Sequence, residues 1–204
     1  MKQTAKEFLK SYAPELQNGA INSLAELLEA FERRPHASGE NTCIRTYTGR
    51  HVDVFNITPD MIHIDDIAHA LSNQCRFGGH TKTFFSVAEH CIWTARRVPF
   101  DLRLAALMHD AAEAYLIDLP TPIKREFPQY EEIEHKVLAA IAQKFGFEFP
   151  LSLQVRVADR EQLEWEFKNI VENMGIKPLT PREARVAFLM HFKSYNLHND
   201  NRGK

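Results

Sequence analysis

The segment Asp101-Leu-Arg-Leu-Ala-Ala-Leu-Met-His-Asp-Ala-Ala-Glu-Ala-Tyr115 decides the predicted fold, because its apolar and polar side chains separate on a helix. At about 100° of rotation per residue, one arc holds the packing side chains: Leu104, Leu107, Met108, Ala111 and Tyr115. His109, Asp110 and Glu113 fall on an arc roughly opposite. A lone His-Asp pair is usually part of a solvated polar face, although an imidazole and two carboxylates can also bind a divalent cation. We therefore predict a helix over about 101–116, and other residues must decide its chemistry.

Composition limits the classes of protein that the chain can represent. With 204 residues and 44% hydrophobic content, the chain can close the core of one globular domain. The formal charge of −2, from 25 basic and 27 acidic side chains, provides no strong field for a nucleic acid polymer. Neither a signal peptide nor an apolar run long enough to span a membrane is apparent, so we expect a soluble, cytoplasmic protein. Cys43, Cys75 and Cys91 lack C-x-x-C spacing and are expected to be reduced thiols.

The chain divides into three predicted parts. Residues 1–42 have apolar residues at helical spacing and are predicted to form a small N-terminal helical extension. Residues 43–198 form the main domain, and 199–204 form a disordered tail. Between Ile44 and Phe55, strand-forming residues alternate around Gly49, which indicates a short β-hairpin. Because this hairpin is too small for an α/β fold, the predicted fold class is all-α.

Capping signals and apolar periodicity place the remaining helices. Ser86-Val-Ala-Glu89 is a capping box that begins a helix to about Arg97 and carries His90. Thr180-Pro-Arg-Glu183 is a second capping box and begins a last helix to about Lys193. Further helices are predicted from about Asp60 or Asp65 to Leu71, over about 130–145 and over about 151–174. Two prolines prevent the central helix from continuing through Ile117–Lys124, and Gly78-Gly79 indicates a flexible loop before His90.

Four residues follow one another in a fixed order, each on a predicted helix: His90, the pair His109-Asp110, and Asp159. This ordered set resembles that of the HD-domain metal-dependent phosphohydrolases. The likeness extends to Glu113, to Arg76-Phe77 and to the loop Asp118-Leu-Pro-Thr-Pro-Ile-Lys124. These additional residues resemble the bacterial 5'-deoxynucleotidases of the YfbR type and, equally, the phage dATP triphosphohydrolases called DatZ. The resemblance covers roughly residues 65–192 and implies an all-α HD-domain helical bundle over 43–198.

The resemblance also implies a role for each matching residue. His90, His109, Asp110 and Asp159 would bind a divalent metal ion, which could be Co, Mn, Zn, Fe or Ni. Glu113 would be the base or would orient water, and Asp118 would be a second acid near the scissile bond. Four further residues are predicted to bind substrate. Arg76 and Lys124 would bind phosphate, Phe77 would pack against the sugar, and Gly79 would lie near an edge of the base. Arg156, one helical turn before Asp159, is a further phosphate-binding candidate on spacing alone.

Three functions are compatible with this pattern. The first is a dATP triphosphohydrolase that acts on deoxyadenosine nucleotides, and the second is a broad-range 5'-deoxynucleotidase that acts on dNMPs. The third, from a different class, is a non-catalytic nucleotide-sensing HD module. The expected partner is a deoxynucleotide substrate, with no nucleic acid polymer and no membrane, and the chain is expected to form a homo-oligomer in a bacterial cytosol or a phage-infected host.

Overall fold

The computed structural model describes Glu7, Lys10, Ser11, residues 43–171 and residues 177–200. The backbone divides into two compact units, residues 1–42 and 43–204. The predicted N-terminal helical extension lies outside the described residues except for these first three, which are helical. Positions 201–204 of the predicted tail also lie outside them. The described part of the second unit is mostly helical, as an all-α fold requires.

The second unit contains a hairpin followed by helices. Strands β1 (Cys43–Arg45) and β2 (His51–Asp53) come first. The α-helices of the described residues are α1 Ile64–Asn73, α2 Val87–Arg96, α3 Arg103–Leu107, α4 Glu113–Leu116, α5 Thr121–Lys124, α6 Pro128–Phe145, α7 Leu153–Glu166 and α8 Pro181–Asp200. Short 3₁₀ turns cover Pro59–Met61, Arg76–Gly79 and Phe100–Leu102, and a π-helical segment, Phe167–Val171, continues α7. No helix of the described residues is long and apolar enough to cross a membrane.

The predicted β-hairpin is confirmed. Strands β1 and β2 pair antiparallel with Ile44 opposite Val52. Gly49 in the connecting turn has φ +84°, a left-handed conformation that glycine adopts without a steric penalty. Thr48 donates two hydrogen bonds to the Asp66 carboxylate, one from the Thr48 backbone N at 2.7 Å and one from Thr48 Oγ1 at 2.9 Å. The hairpin is therefore attached to α1.

Both predicted capping sites begin helices. The hydroxyl of Ser86 accepts from the backbone N of Glu89 at 3.1 Å, and Thr180 Oγ1 accepts from the backbone N of Glu183 at 3.3 Å. The Glu183 carboxylate reciprocates by accepting from Thr180 N at 2.8 Å, whereas the Glu89 carboxylate accepts from Leu179 N at 2.8 Å. Glu89 thus connects the start of α2 to the segment that leads into α8.

The prediction of one continuous helix over 101–116 is wrong. Helix α3 ends at Leu107 and α4 begins at Glu113. Between them, the backbone N–H groups of Ala111 and Glu113 donate to carbonyl groups three residues back, at 3.0 Å each, instead of four. These tighter turns let the side chains of His109 and Asp110 approach the same centre, although neighbours on a regular helix point about 100° apart. The predicted apolar arc is nevertheless buried.

Two other predicted helix ends are also corrected. Helix α8 continues past Lys193 to Asp200, which brings it into the predicted disordered tail of 199–204. Its packed face extends past Lys193, because the Tyr195 ring is buried and meets Phe100 edge-on, with centroids 5.7 Å apart. The helix predicted to reach position 174 leaves the α conformation after Glu166 and is π-helical to Val171.

Helix α2 is the central element of the core. Almost all of its residues are buried, His90 among them, and it packs against α1, α3, α7 and α8. A helix surrounded in this way has little freedom to shift. His90 therefore projects from a rigid support, and the α3–α4 turn and α7 lie beside it.

Candidate metal centre

Four side chains from three elements converge on one point. His90 Nε2, on α2, lies 3.2 Å from His109 Nε2 and 3.1 Å from Asp159 Oδ1. His109 Nε2 lies 3.4 Å from the same Asp159 oxygen. Asp110 Oδ2 lies 3.2 Å from His109 Nε2 and 3.5 Å from His90 Nε2. The structure thus brings together all four residues that the resemblance implies as metal ligands.

The hydrogen bonds of the two imidazoles show that these converging atoms are electron-pair donors. His109 Nδ1 lies 2.7 Å from the carbonyl oxygen of Ala106, which can only accept, so the proton is on Nδ1. His90 Nδ1 lies 2.6 Å from the carboxylate of Glu166, which fixes the same tautomer. In the neutral rings both Nε2 lone pairs therefore face each other and two carboxylate oxygens. The lone pairs of these four atoms repel one another unless a cation lies among them.

The distances also fit a first-row divalent ion. Ligand bonds of about 2.1 Å place neighbouring donor atoms roughly 3.0–3.4 Å apart in tetrahedral or octahedral sites. The observed separations run from 3.1 to 3.5 Å. A set of two imidazoles and two carboxylates suits Mn, Fe, Co, Ni or Zn better than an all-oxygen site would. The residues present therefore fit a divalent metal ion.

The electrostatics of the centre favour positive charge there. Burial opposes protonation of His109, but its neighbours, chiefly the Asp110 carboxylate with the Asp159 carboxylate, together outweigh burial and raise the pKa of His109 well above its usual value. Burial would raise the pKa of Asp110, yet His109 lowers it to about 2. The pKa of Asp159 is also lowered, because hydrogen bonds from the two imidazoles exceed the effect of burial. Protons and metal ions thus compete for this centre, and metal binding should weaken as the pH falls.

Cys91 forms a second group with His109 and Asp110, whose potential ligand atoms also lie within 4.8 Å of one another. Complete burial raises the pKa of the Cys91 thiol to about 11. Because the thiolate, not the thiol, is the metal ligand, this group is the poorer donor set at neutral pH. The four-residue set remains the better candidate.

Glu166 is a residue of the candidate site that the sequence analysis missed. Its carboxylate is fully buried and accepts from Arg76 Nε at 3.2 Å and from Gln162 Nε2 at 3.0 Å, besides its contact with His90. Burial alone would raise the pKa of Glu166, but His90 and Arg76 together lower it by more. The net pKa is therefore below its usual value, and the carboxyl group is ionised. One carboxylate therefore orients both a metal ligand and the arginine beside the site. Its spacing of seven residues after Asp159, on the same face of α7, was the available signal.

We expect Glu166→Gln to weaken metal binding by about 10- to 100-fold, the usual effect of losing a carboxylate that orients a histidine ligand. The measurement is a metal titration against a competing chelator, with circular dichroism to verify the fold. Glu164→Gln is the matched control, because Glu164 is exposed on the same helix. Equal weakening in both variants would show a general effect of charge and not the orientation of His90.

A cavity of about 790 Å³ opens beside the metal centre. The predicted site residues on its wall are Arg76, Phe77, Asp110, Glu113, Asp118, Lys124 and Asp159. Gly79 is not on this wall, and Arg156 instead borders a neighbouring cavity of about 190 Å³ together with His109, Lys124 and Asp159. The volume of the larger cavity lies in the range that accommodates a small organic ligand.

Gly78 and Gly79 serve the backbone. The φ angles of Phe77, Gly78 and Gly79 are +56°, +59° and +83°, so the chain turns through three left-handed residues here. A Cβ at Gly79 would have no atom within 4 Å, which means that the backbone angle and not close approach favours glycine. The turn positions Arg76 and Phe77 on the cavity wall, whereas Gly79 lies off that wall.

Two carboxylates on the cavity wall have raised pKa values. Burial, reinforced by the charges of Asp110 and Asp118, raises the pKa of Glu113 well above its usual value, against the influence of Arg76 and Lys124. Its Oε2 has no hydrogen-bond partner among the described residues. Burial also raises the pKa of Asp118, although Arg76 opposes the shift. Buried carboxyl groups of this kind can exchange protons near neutral pH.

The two predicted phosphate-binding cations are held by acidic neighbours. Arg76 is buried, with Nε on Glu166 and Nη1 3.9 Å from Asp110 Oδ2. Lys124 Nζ lies 2.7 Å from Glu134 Oε1. Both cations border the cavity while these contacts fix their side chains. They are therefore preorganised to meet an anion.

Two curated relatives place the chain in a family. The Escherichia coli protein YfdR, described as uncharacterized, is 37% identical over 165 residues, which cover 73% of this chain and 93% of YfdR. The chain belongs to the YfdR family. An uncharacterized protein of Rhodobacter capsulatus is 32% identical over 177 residues, which cover 71% of this chain and 90% of that relative. No family model matches the sequence. Because neither relative of the YfdR family has a described activity, the resemblance to HD-domain phosphohydrolases stays a prediction.

Proposed function

We propose that this protein is a metal-dependent phosphohydrolase of the HD type that removes phosphate from deoxynucleotides. The observation that carries the proposal is the convergence of four electron-pair donors, with His90 Nε2 and His109 Nε2 only 3.2 Å apart, next to a cavity bordered by cations and two protonatable carboxylates. Phosphoryl transfer requires positive charge near the phosphate oxygens and a group that manages protons, and this cavity contains both.

The residues divide the work as follows. His90, His109, Asp110 and Asp159 would hold a divalent ion, which when bound polarises a phosphoryl oxygen and makes water a stronger nucleophile. Glu113, whose Oε2 has no partner among the described residues, accepts a proton from the attacking water. The water oxygen bonds to phosphorus as the phosphorus–oxygen ester bond breaks, and the leaving oxygen takes up a proton.

Asp118 and the two cations act on the other parts of the substrate. The raised pKa of Asp118 allows this carboxyl group to keep a proton and donate it to the leaving oxygen. Arg76 and Lys124 contact phosphoryl oxygens, and their pairing with Glu166 and Glu134 keeps them in place as charge redistributes. A nucleotide-sensing module has no need of a positioned base and acid, so this set favours catalysis.

The resemblance supports a triphosphate of deoxyadenosine as the substrate, because the loop Asp118–Lys124 and the Arg-Phe-Gly-Gly turn resemble those of dATP triphosphohydrolases. The alternative is a 5'-deoxynucleotidase that acts on dNMPs.

The resemblance predicts a preference for deoxyadenosine nucleotides over ATP and dGTP. The test incubates the metal-loaded protein with dNTPs, NTPs and dNMPs, identifies products by chromatography and compares kcat/KM. A tenfold preference corresponds to about 1.4 kcal/mol, which one contact can supply. Chelator-treated protein is the control. Equal rates on dATP, dGTP and ATP would contradict the dATP assignment, hydrolysis of dNMPs alone would establish the alternative, and binding without hydrolysis would support the sensing module.

A further inference from the structure

We propose that Phe167, with Leu163 beside it, is the platform on which the cavity binds a nucleobase. This inference rests on the proposed function, because it takes the ligand to be a nucleotide whose phosphate lies at the metal centre. It assigns a role to the end of α7 and the π-helical segment that follows, a part of the cavity wall for which the sequence analysis named no residue.

The first argument is the row of side chains that leads away from the metal centre. Asp159, Leu163 and Phe167 follow each other at intervals of four residues, so they lie along one face of α7, and all three line the cavity. At about 1.5 Å of rise per residue, Leu163 lies about 6 Å and Phe167 about 12 Å from Asp159 along the helix axis. The cavity thus has Asp110 and Asp159 at one end and the apolar side chains of Leu163 and Phe167 toward the other.

The second argument is the exposure of these apolar side chains. Phe167 is 50% exposed and Leu163 is 38% exposed, although both lie in a cavity and not on a convex surface. An aromatic side chain that lines a cavity with half its surface accessible can stack on a planar ring. A nucleobase is the planar ring of the proposed substrate, and stacking on aromatic side chains is a common way for proteins to bind bases.

The third argument is that Phe167 is held in a defined place. Its neighbour Glu166 is fully buried and bonded to both His90 and Arg76, so the backbone at this point is tied to the metal centre. Helix α7 changes from α to π geometry at Phe167, and Asn169 Nδ2 donates to the Trp165 carbonyl oxygen at 2.7 Å across the change. Single π turns within helices often occur at functional sites.

The polar neighbours of Phe167 suit the edge of a base. Glu164 and Lys168 are exposed, lie one helical turn apart and line the same cavity. A carboxylate accepts hydrogen bonds from ring N–H and amino groups, whereas an ammonium group donates to ring nitrogens and carbonyl oxygens. Every base has groups of both kinds on its edges, so Glu164 and Lys168 are compatible with purines and pyrimidines. The stacking surface would provide most of the affinity for the base.

The experiment compares metal-loaded Phe167→Ala with the metal-loaded wild-type protein on two substrates, a deoxynucleotide and 2-deoxyribose 5-phosphate. The second substrate keeps the deoxyribose and a 5'-phosphate but has no base. We expect KM for the deoxynucleotide to rise about tenfold or more, because aromatic stacking is lost, while kcat/KM for 2-deoxyribose 5-phosphate stays within about twofold. Phe127→Ala, at a phenylalanine that is 54% exposed but not on the cavity wall, is the matched control. Phe167→Tyr should retain the wild-type KM.

The outcomes separate this inference from the proposed function. An unchanged KM for the deoxynucleotide in Phe167→Ala, or an equal loss on both substrates, would overturn the inference and leave phosphohydrolase activity standing. If the wild-type protein hydrolyses neither substrate, calorimetric binding of the deoxynucleotide to the metal-loaded protein decides instead. Binding that weakens about tenfold in Phe167→Ala and not in Phe127→Ala supports the base platform without catalysis. Absence of nucleotide binding by the wild-type protein overturns the inference.

Discussion

Asp159→Ala should abolish both bound metal and hydrolysis while the helices persist. Asp159 Oδ1 lies within 3.4 Å of the Nε2 atoms of both His90 and His109, so its removal takes away one of the two carboxylates that contact both imidazoles. The side chain of Asp159 is 41% exposed, and its loss should disturb the packing little. The expected loss of rate is on the order of 10³-fold or more, since a metal ion contributes several kcal/mol to stabilising the transition state.

The measurement combines elemental analysis of the purified variant, circular dichroism and turnover of the preferred nucleotide. His109→Ala should behave in the same way, although it also removes a buried ring bonded to the Ala106 carbonyl oxygen. Glu161→Ala, at an exposed acidic residue of the same helix, is the control and should retain metal and rate. Stoichiometric metal and full rate in Asp159→Ala would show that the metal centre lies elsewhere.

Glu113→Gln should keep the metal and bind nucleotide but lose on the order of 10²-fold or more in kcat, the usual contribution of a positioned base. Glu113 is not among the four converging donors, and its Oε2 has no partner in the described part of the chain. Glutamine preserves its shape and removes its ability to accept a proton. The pair of readouts, metal content and kcat, distinguishes a base from a ligand.

The pH dependence provides an independent check on Glu113. Because burial and the nearby carboxylates raise its pKa, the ionised form that acts as a base is lost at a higher pH than for an ordinary glutamate. The activity of the wild-type protein should therefore fall as the pH is lowered through this raised pKa, and the residual activity of Glu113→Gln should lack that acidic limb. Glu161→Gln, at an exposed glutamate of α7 that is not on the cavity wall, should keep the wild-type profile. Loss of metal in Glu113→Gln would make this residue a ligand, and unchanged kcat would leave Asp118 as the acid–base group.

Much of the helical structure could be predicted from the sequence, because the signals that start a helix act over three or four residues. The hydroxyl groups of Ser86 and Thr180 each cap a helix through the backbone N–H three residues later, and both capping bonds are formed. The hairpin around Gly49 follows from an equally local pattern. The side chains that converge at the candidate metal centre could also be predicted, since imidazoles and carboxylates in a fixed order resemble a known set.

Tertiary structure alone decided how those groups meet. Glu166 is 76 residues from His90 and 90 residues from Arg76, and no local pattern states that one carboxylate binds both. The same long-range demand interrupts the predicted central helix between Leu107 and Glu113, because His109 and Asp110 must both face α2 and α7. By itself, the sequence determined where helices begin and which residue types could bind a metal. Distances of 3.1 to 3.5 Å between donor atoms arise only when three separate elements pack together, since packing and not propensity sets the position of one element against another.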